Sequence, residues 1–91
     1  MENTEELLAV KTTAGAFSSE RAVTVELADG QNVSLFADKA LVQQRSNSEF
    51  LKVVVMKCDA QAKTKTVLLP SEAFETMSRW VTVSQEKIVP A

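Results

Sequence analysis

The stretch that decides the fold is TKTVLLPSEAFETMSRWV, residues 64–81. It begins with a short alternation of polar and apolar residues, which is typical of a half-buried strand. Pro70 ends this strand because proline has no N–H to donate to a sheet. Ser71 is a residue type that caps helices, and Glu72 and Glu75 lie where the helix dipole favours negative charge. The stretch therefore predicts a strand that leads directly into a helix.

The predicted helix carries one apolar stripe. Its members recur at steps of three and four residues, with a tryptophan at the edge of the stripe: Phe74, Met77, Val81, Ser84 and Ile88, with Trp80. Because this spacing also suits packing against a second helix, we expect a homodimer joined through these residues. The β-branched run at residues 81–83 disfavours a helix, so a helix that ends near Trp80 with a short strand after it is the alternative.

Three further strands are predicted before this one. They follow from period-two alternation and from β-branched residues, and with the last strand they cover residues 21–27, 32–42, 50–57 and 63–69. Asp29-Gly30 predicts a hairpin between the first two strands, because Gly30 supplies the positive φ that the turn requires. The sequence thus predicts an α+β fold over residues 20–91, a curved four-stranded antiparallel sheet followed by one C-terminal amphipathic helix. Residues 1–19 are predicted to form an acidic, loosely ordered arm.

The residue types argue against an enzyme. The chain has no histidine, two glycines and a single cysteine, Cys58. It therefore lacks the usual general base near neutral pH, and it cannot build a zinc site or a glycine-rich phosphate loop. We expect no catalytic residues, no metal and no cofactor. The unpaired cysteine indicates a reducing cytoplasmic setting, and no apolar run is long enough to span a membrane.

The charges are unevenly distributed. Ten basic and twelve acidic residues give a net charge of −2. Three of the acidic residues, Glu2, Glu5 and Glu6, fall in the first ten residues, where there is no lysine or arginine. The middle of the chain is therefore mildly basic.

Four strands and a helix joined at VLLPSEAF resemble the single-strand-binding core of the positive cofactor four family of transcriptional coactivators, which has bacterial and bacteriophage members. Arg21-Ala-Val-Thr-Val is similar to the first strand of that family, and Asp29-Gly30 to its turn. Residues 33–41 match the second strand. Residues 65–74 match the last strand and the helix start, with Phe74 where the family places a bulky aromatic residue.

The resemblance implies a homodimer with two curved sheets that bind single-stranded DNA with little sequence preference, in replication, recombination or transcription. A basic groove that follows the phosphates and aromatic faces that stack on bases suit that role. The resemblance gives Arg21, Lys63 and Lys65 as DNA-binding residues. Charge and strand position add four more cations and two aromatic residues: Lys39, Arg45, Lys52, Lys57, Phe36 and Phe50.

Other readings of the same residues stay open. Lysines on strand edges commonly serve solubility and block edge-to-edge pairing, and aromatic residues such as Phe36 and Phe50 belong to a core more often than to a base-stacking surface. The acidic arm is either disordered or competes with DNA for the basic surface. The near-neutral charge favours a second class of function, a small protein-interaction module such as an inhibitor or an assembly subunit.

Overall fold

A computed structural model describes residues 4–91, and these residues are built almost entirely of β-strands. The strands are β1 (Thr4–Ala14), β2 (Glu20–Glu26), β3 (Asn32–Asp38), β4 (Val42–Arg45), β5 (Ser48–Asp59), β6 (Thr64–Leu68), β7 (Trp80–Ser84) and β8 (Ile88–Pro90). The helical segments of the described chain are two single 3-10 turns, Lys39–Leu41 and Gln85–Lys87. The prediction of an α+β fold with a C-terminal helix is therefore wrong. The fold is all-β.

The eight strands form one antiparallel sheet in the order β3-β2-β1-β5-β6-β7, with β4 beside β5 and β8 beside β1. One edge of β1 pairs with β5, while the other edge pairs first with β8 and then with β2. Because β8 follows β7, which lies at the far end of the order, its pairing with β1 requires the sheet to curl back on itself. The curled sheet therefore encloses the core on its inner face.

The core comes from the alternation of apolar residues along each strand. Val23 and Val25 of β2 face Val33 and Leu35 of β3, and all four are at most 2% exposed. The remaining strands contribute residues of the same kind: Leu8, Leu51, Val53, Val55, Val67, Val81, Val83 and Ile88. The polar residues between them lie on the outer face, as the two-residue period of a strand requires.

The N-terminal segment is a central strand of the sheet. Leu7 and Leu8 of β1 are both 0% exposed, and Leu8 pairs with Leu51 of β5 in the core. Leu7 lies on the opposite face, between the half-buried residues Lys52 and Val89. A loosely ordered arm therefore does not describe Thr4–Ala14. Residues 1–3 of the predicted arm lie outside the described residues.

Residues 69–79, where the helix was predicted, form an irregular segment that we call the covering loop. Leu69 and Ala73 are both 0% exposed and anchor the loop in the core. The helix-like spacing of Phe74 and Met77 does not mark a buried face, because these side chains are 59% and 77% exposed. Ser71, expected to cap a helix, and Glu75, expected in its first turn, form hydrogen bonds with the edge of β3 instead.

The strands and turns predicted from local sequence patterns agree with the structure better than the predicted helix does. The hairpin between β2 and β3 is confirmed, with Gly30 at φ 90° and the Leu27 N–H donating to the Gln31 carbonyl at 2.7 Å. The β-branched run at residues 81–83 lies in β7, as the alternative of a short strand anticipated. The segment 43–49, which separates the predicted strands 32–42 and 50–57, contains most of β4 and the start of β5.

The six residues predicted to join two helices do not share one surface. Val81 and Ile88 are 5% and 8% exposed and belong to the core of the single chain, while Ser84 is half-buried. The other three are exposed: Phe74, Met77 and Trp80. A dimer that packs helix against helix is therefore ruled out by the fold.

Residues 4–91 also contain no helix with the length and apolarity needed to cross a membrane.

Candidate functional site

Four of the predicted DNA-binding cations are exposed, and within residues 4–91 none of the four forms an ion pair. Lys39 and Arg45 lie near the beginning of β5, whereas Lys57 and Lys63 lie near its end. A strand of 12 residues is about 35–40 Å long when straight. The four cations therefore lie at opposite ends of the molecule and do not form one continuous positive surface.

The other three predicted cations are held by carboxylates. The pairs are Arg21–Glu49 at 3.7 Å, Lys52–Glu5 at 3.6 Å and Lys65–Glu6 at 3.5 Å. Arg21 also donates from Nη2 to Thr12 Oγ1 at 2.8 Å, and the Thr12 N–H donates to Glu49 at 3.2 Å. Each pair joins two different strands, so these three cations are engaged within the fold.

The two predicted aromatic candidates have different surroundings. Phe50 is half-buried in β5. Phe36 is 40% exposed on the outer face of β3, and its ring meets Phe74 edge to face, with ring centroids 5.3 Å apart and planes 75° apart. Such a pair is a preferred aromatic arrangement. Of the two aromatic residues predicted to stack on DNA bases, Phe36 is therefore the one that lies in an exposed aromatic cluster.

The exposed large hydrophobic residues are concentrated in one region. Five such residues occur in the described chain, and four of them lie on β3, on the covering loop or at the start of β7. These four are Phe36, Phe74, Met77 and Trp80, which we call the apolar surface. The fifth, Phe17, lies in the turn between β1 and β2. Clustered exposed hydrophobic residues commonly mark an interaction site.

Hydrogen bonds to β3 fix the covering loop in place. Ser71 Oγ donates to the Phe36 carbonyl at 2.6 Å, and the Phe74 N–H donates to the Ser34 carbonyl at 2.8 Å. The Glu75 carboxylate accepts from the Ser34 N–H at 2.7 Å and from Ser34 Oγ at 3.0 Å. The loop therefore covers the edge of β3 much as another strand would, and it holds Phe74 beside Phe36.

The loop is also closed on itself. The Met77 N–H donates to the Ala73 carbonyl at 2.8 Å, and the Ala73 N–H donates to the Ser78 carbonyl at 3.0 Å. At its base, the Leu69 N–H donates to the Arg79 carbonyl at 2.7 Å, and Arg79 Nε donates back to the Leu69 carbonyl at 2.8 Å. These contacts make the loop a fixed platform for its exposed apolar side chains.

Acidic residues adjoin the apolar surface. Glu20 of β2 and Asp38 of β3 are direct cross-strand partners on the outer face, next to the pair formed by Ala22 and Phe36. Glu72 is exposed on the covering loop between Ser71 and Phe74. We call Glu20, Asp38 and Glu72 the acidic rim. Lys39 follows Asp38 but lines a separate cleft with Arg21 and Glu49.

One further acidic group has a structural partner. The hydrogen bond from the Ser34 backbone N–H, assisted by Ser34 Oγ, lowers the pKa of Glu75 below its ordinary value. A carboxylate that accepts a backbone N–H is stabilised in its charged form. Glu75 is therefore ionised at neutral pH and adds to the negative charge near the apolar surface.

A second cleft lies along β1, between the residues that pair with β8 and those that pair with β2. It has a volume of about 330 Å³ and is lined by residues that include Lys11, Glu26 and Lys87. Lys87 Nζ lies 2.8 Å from a Glu26 carboxylate oxygen, and this hydrogen-bonded ion pair lowers the pKa of Glu26. Within residues 4–91, no three acidic, cysteine or histidine side chains converge in a way that would hold a metal ion.

The covering loop was predicted as a helix because its apolar residues recur at helical spacing. Phe74, Met77 and Val81 follow the three-and-four spacing, yet only Val81 is buried. The signal that favours the observed structure is the pair Val81 and Val83, whose two-residue spacing places both in the core. With a strand starting at Trp80, the residues between Pro70 and that strand are fewer than the roughly 12–15 that a helix needs to be stable on its own.

Comparisons of the chain with protein-family models, with curated proteins and with solved structures found no match.

Proposed function

We propose that this chain is a small, non-catalytic protein-interaction module that binds another protein through its apolar surface. The observation that carries the proposal is the concentration of Phe36, Phe74, Met77 and Trp80 on β3, the covering loop and the start of β7. If the loop served only to connect β6 to β7, a short polar segment would be enough, and no large apolar side chains would be exposed to water. Exposed aromatic residues on a fixed platform are typical of the anchors that dominate protein interfaces. The exposed free thiol of Cys58 is compatible with a reducing cytoplasm.

Single-stranded DNA binding, the function implied by the family resemblance, is the second candidate. The exposed cations Lys39, Arg45, Lys57 and Lys63 favour it, as does the exposed ring of Phe36. Their positions at the two ends of β5 give it less support, because a bound strand requires a basic track along its phosphates.

Peptide selection tests the first candidate. A library of random linear peptides displayed on phage is selected against the immobilised chain, the double variant F74S/W80S and the control variant F17S. Phe17 is 71% exposed and lies outside the apolar surface. We expect peptides that bind the wild-type chain and F17S but not F74S/W80S. Selected peptides that bind all three proteins equally would overturn the proposal.

Fluorescence anisotropy with a labelled single-stranded oligonucleotide tests the second candidate. A nucleic-acid-binding protein loses affinity steeply with salt, with a log–log slope of about −0.7 for each phosphate neutralised. Salt-dependent binding that is lost in K57Q/K63Q would establish DNA binding. No binding at low salt would exclude this candidate.

A further inference from the structure

The outer face beside the apolar surface carries a like-charge pair. Glu20 and Asp38 lie directly opposite each other on β2 and β3. Like charges in that position destabilise a sheet. Within residues 4–91, no lysine or arginine lies within ion-pair distance of either carboxylate.

The fold does not depend on either negative charge. Asp38 accepts from the Ala40 N–H at 2.9 Å, a bond that an asparagine would also accept. The stem of Glu20 packs over Gly15, where an added Cβ would lie 2.7 Å from Glu20 Cγ. Packing of the stem needs the length of the side chain, which glutamine shares. The charges are therefore an unfavourable feature of the isolated chain.

The aromatic pair stands next to these carboxylates. Phe36 precedes Asp38 by two residues and is its neighbour on the same face, since residues 36 and 38 of β3 both point outward. Phe74 contacts Phe36, and Glu72 is exposed on the covering loop two residues before Phe74. Exposed aromatic faces attract cations through the ring quadrupole, and carboxylates bind a guanidinium with two parallel hydrogen bonds.

We propose that the partner presents a basic segment to this face, with an arginine side chain set against Phe36 and Phe74 and between the carboxylates of the acidic rim. Apolar residues beside that arginine cover Met77 and Trp80. This inference rests on the proposed function and adds the chemistry of the partner. The partner's cation relieves the repulsion between Glu20 and Asp38 on binding, which turns an unfavourable feature of the free chain into affinity and specificity.

Three matched synthetic peptides test the inference: one alternates phenylalanine with arginine, one with serine and one with glutamate. Their affinities are measured for the wild-type chain, for E20Q/D38N and for F74S. The control variant D59N/E86Q removes the same number of negative charges away from the apolar surface. Asparagine at position 59 keeps the acceptor for the turn, where Asp59 accepts from the Gln61 and Ala62 N–H groups.

We expect the arginine peptide to bind the wild-type chain and D59N/E86Q most tightly, and F74S to lose it. E20Q/D38N should bind it about tenfold more weakly near 0.01 M salt, and this difference should vanish near 1 M salt, where the Debye length is about 3 Å. E20Q/D38N should melt at the same or a higher temperature than the wild-type chain, because the like-charge pair is removed.

The outcomes separate the inference from the proposed function. Binding that depends on Phe74 but shows no preference for arginine, or a preference that E20Q/D38N retains, would overturn the inference alone. Arginine-peptide binding that survives in F74S would also overturn it. No Phe74-dependent binding of any peptide would count against the proposed function itself. A dimer in light scattering that dissociates in F74S would identify a second copy of the chain as the occupant and would overturn the assignment of a basic partner.

Discussion

Ser34 and Glu75 connect the covering loop to the edge of the sheet: the Ser34 N–H donates to the Glu75 carboxylate at 2.7 Å, and Ser34 Oγ donates to it at 3.0 Å. An unpaired strand edge invites pairing with other chains. The carboxylate takes the place of a neighbouring strand at Ser34. The same contact fixes the loop that carries Phe74, so edge protection and presentation of the apolar surface depend on one side chain.

Replacement of Glu75 by alanine should lower the melting temperature and loosen the covering loop. The pKa of Glu75 is depressed by the Ser34 N–H, so its contribution to stability is present above the ordinary value of about 4.5 and is lost as the pH falls through the depressed folded-state pKa. Melting curves of the wild-type chain and E75A should therefore differ at pH 7 and converge as the pH falls below that range. E86A, which changes an exposed glutamate without a bonded partner in the described chain, serves as the control. A difference that stays constant down to low pH would contradict this role of the carboxylate.

Replacement of Leu8 by alanine should destabilise the chain by about 2–5 kcal/mol, the usual range for deleting a fully buried leucine side chain. Leu8 is 0% exposed and pairs with Leu51 and Ile88. The control T13A changes an exposed residue of the same strand and should alter the free energy of unfolding by about 0.5 kcal/mol or less. Denaturant unfolding measures both. Equal effects of L8A and T13A would contradict a central position for β1.

Local signals were enough to predict the β2–β3 hairpin and the cores of β5 and β6. The alternation of Val23 and Val25 and the turn at Asp29-Gly30 are properties of neighbouring residues, and the structure bears them out. The strand β1 was not predicted, because the adjacent residues Leu7 and Leu8 are buried on opposite faces and break the alternation. Its pairing with β5 joins residues far apart in the chain. Local sequence patterns do not predict such long-range contacts.

The candidate site was predicted only in part. Phe36 was named as an exposed aromatic residue, and Phe74, Met77 and Trp80 as an interaction surface on a helix. These four lie in one region because the covering loop docks on β3. The sequence alone does not predict that contact. The predicted cations have different surroundings, and the sequence does not show that Arg21, Lys52 and Lys65 meet carboxylates of other strands.

Replacement of Lys87 by methionine should raise the pKa of Glu26 toward 4.5, because the hydrogen bond and the charge of Lys87 are the main causes of its depression. Lys11 is a lesser cause, so K11M should raise the pKa of Glu26 by a smaller amount. NMR titration of the Glu26 carboxyl carbon measures both shifts, with K57M as the control. A larger shift in K11M than in K87M would contradict the ion pair between β2 and the 3-10 turn.

Replacement of Lys63 by glycine should stabilise the chain. Lys63 lies in the turn between β5 and β6 with φ at 57°, a left-handed conformation that costs a residue with a Cβ about 1–2 kcal/mol. Glycine adopts it freely but has a more flexible unfolded state, so the expected net gain is about 0.5–1 kcal/mol. The turn should be preserved, because the Lys63 carbonyl that accepts from the Gln85 N–H belongs to the backbone. The control A60G changes a residue of the same turn whose φ is negative and should lower the free energy of unfolding. Destabilisation by K63G comparable to that of A60G would show that the turn does not hold Lys63 in the left-handed region.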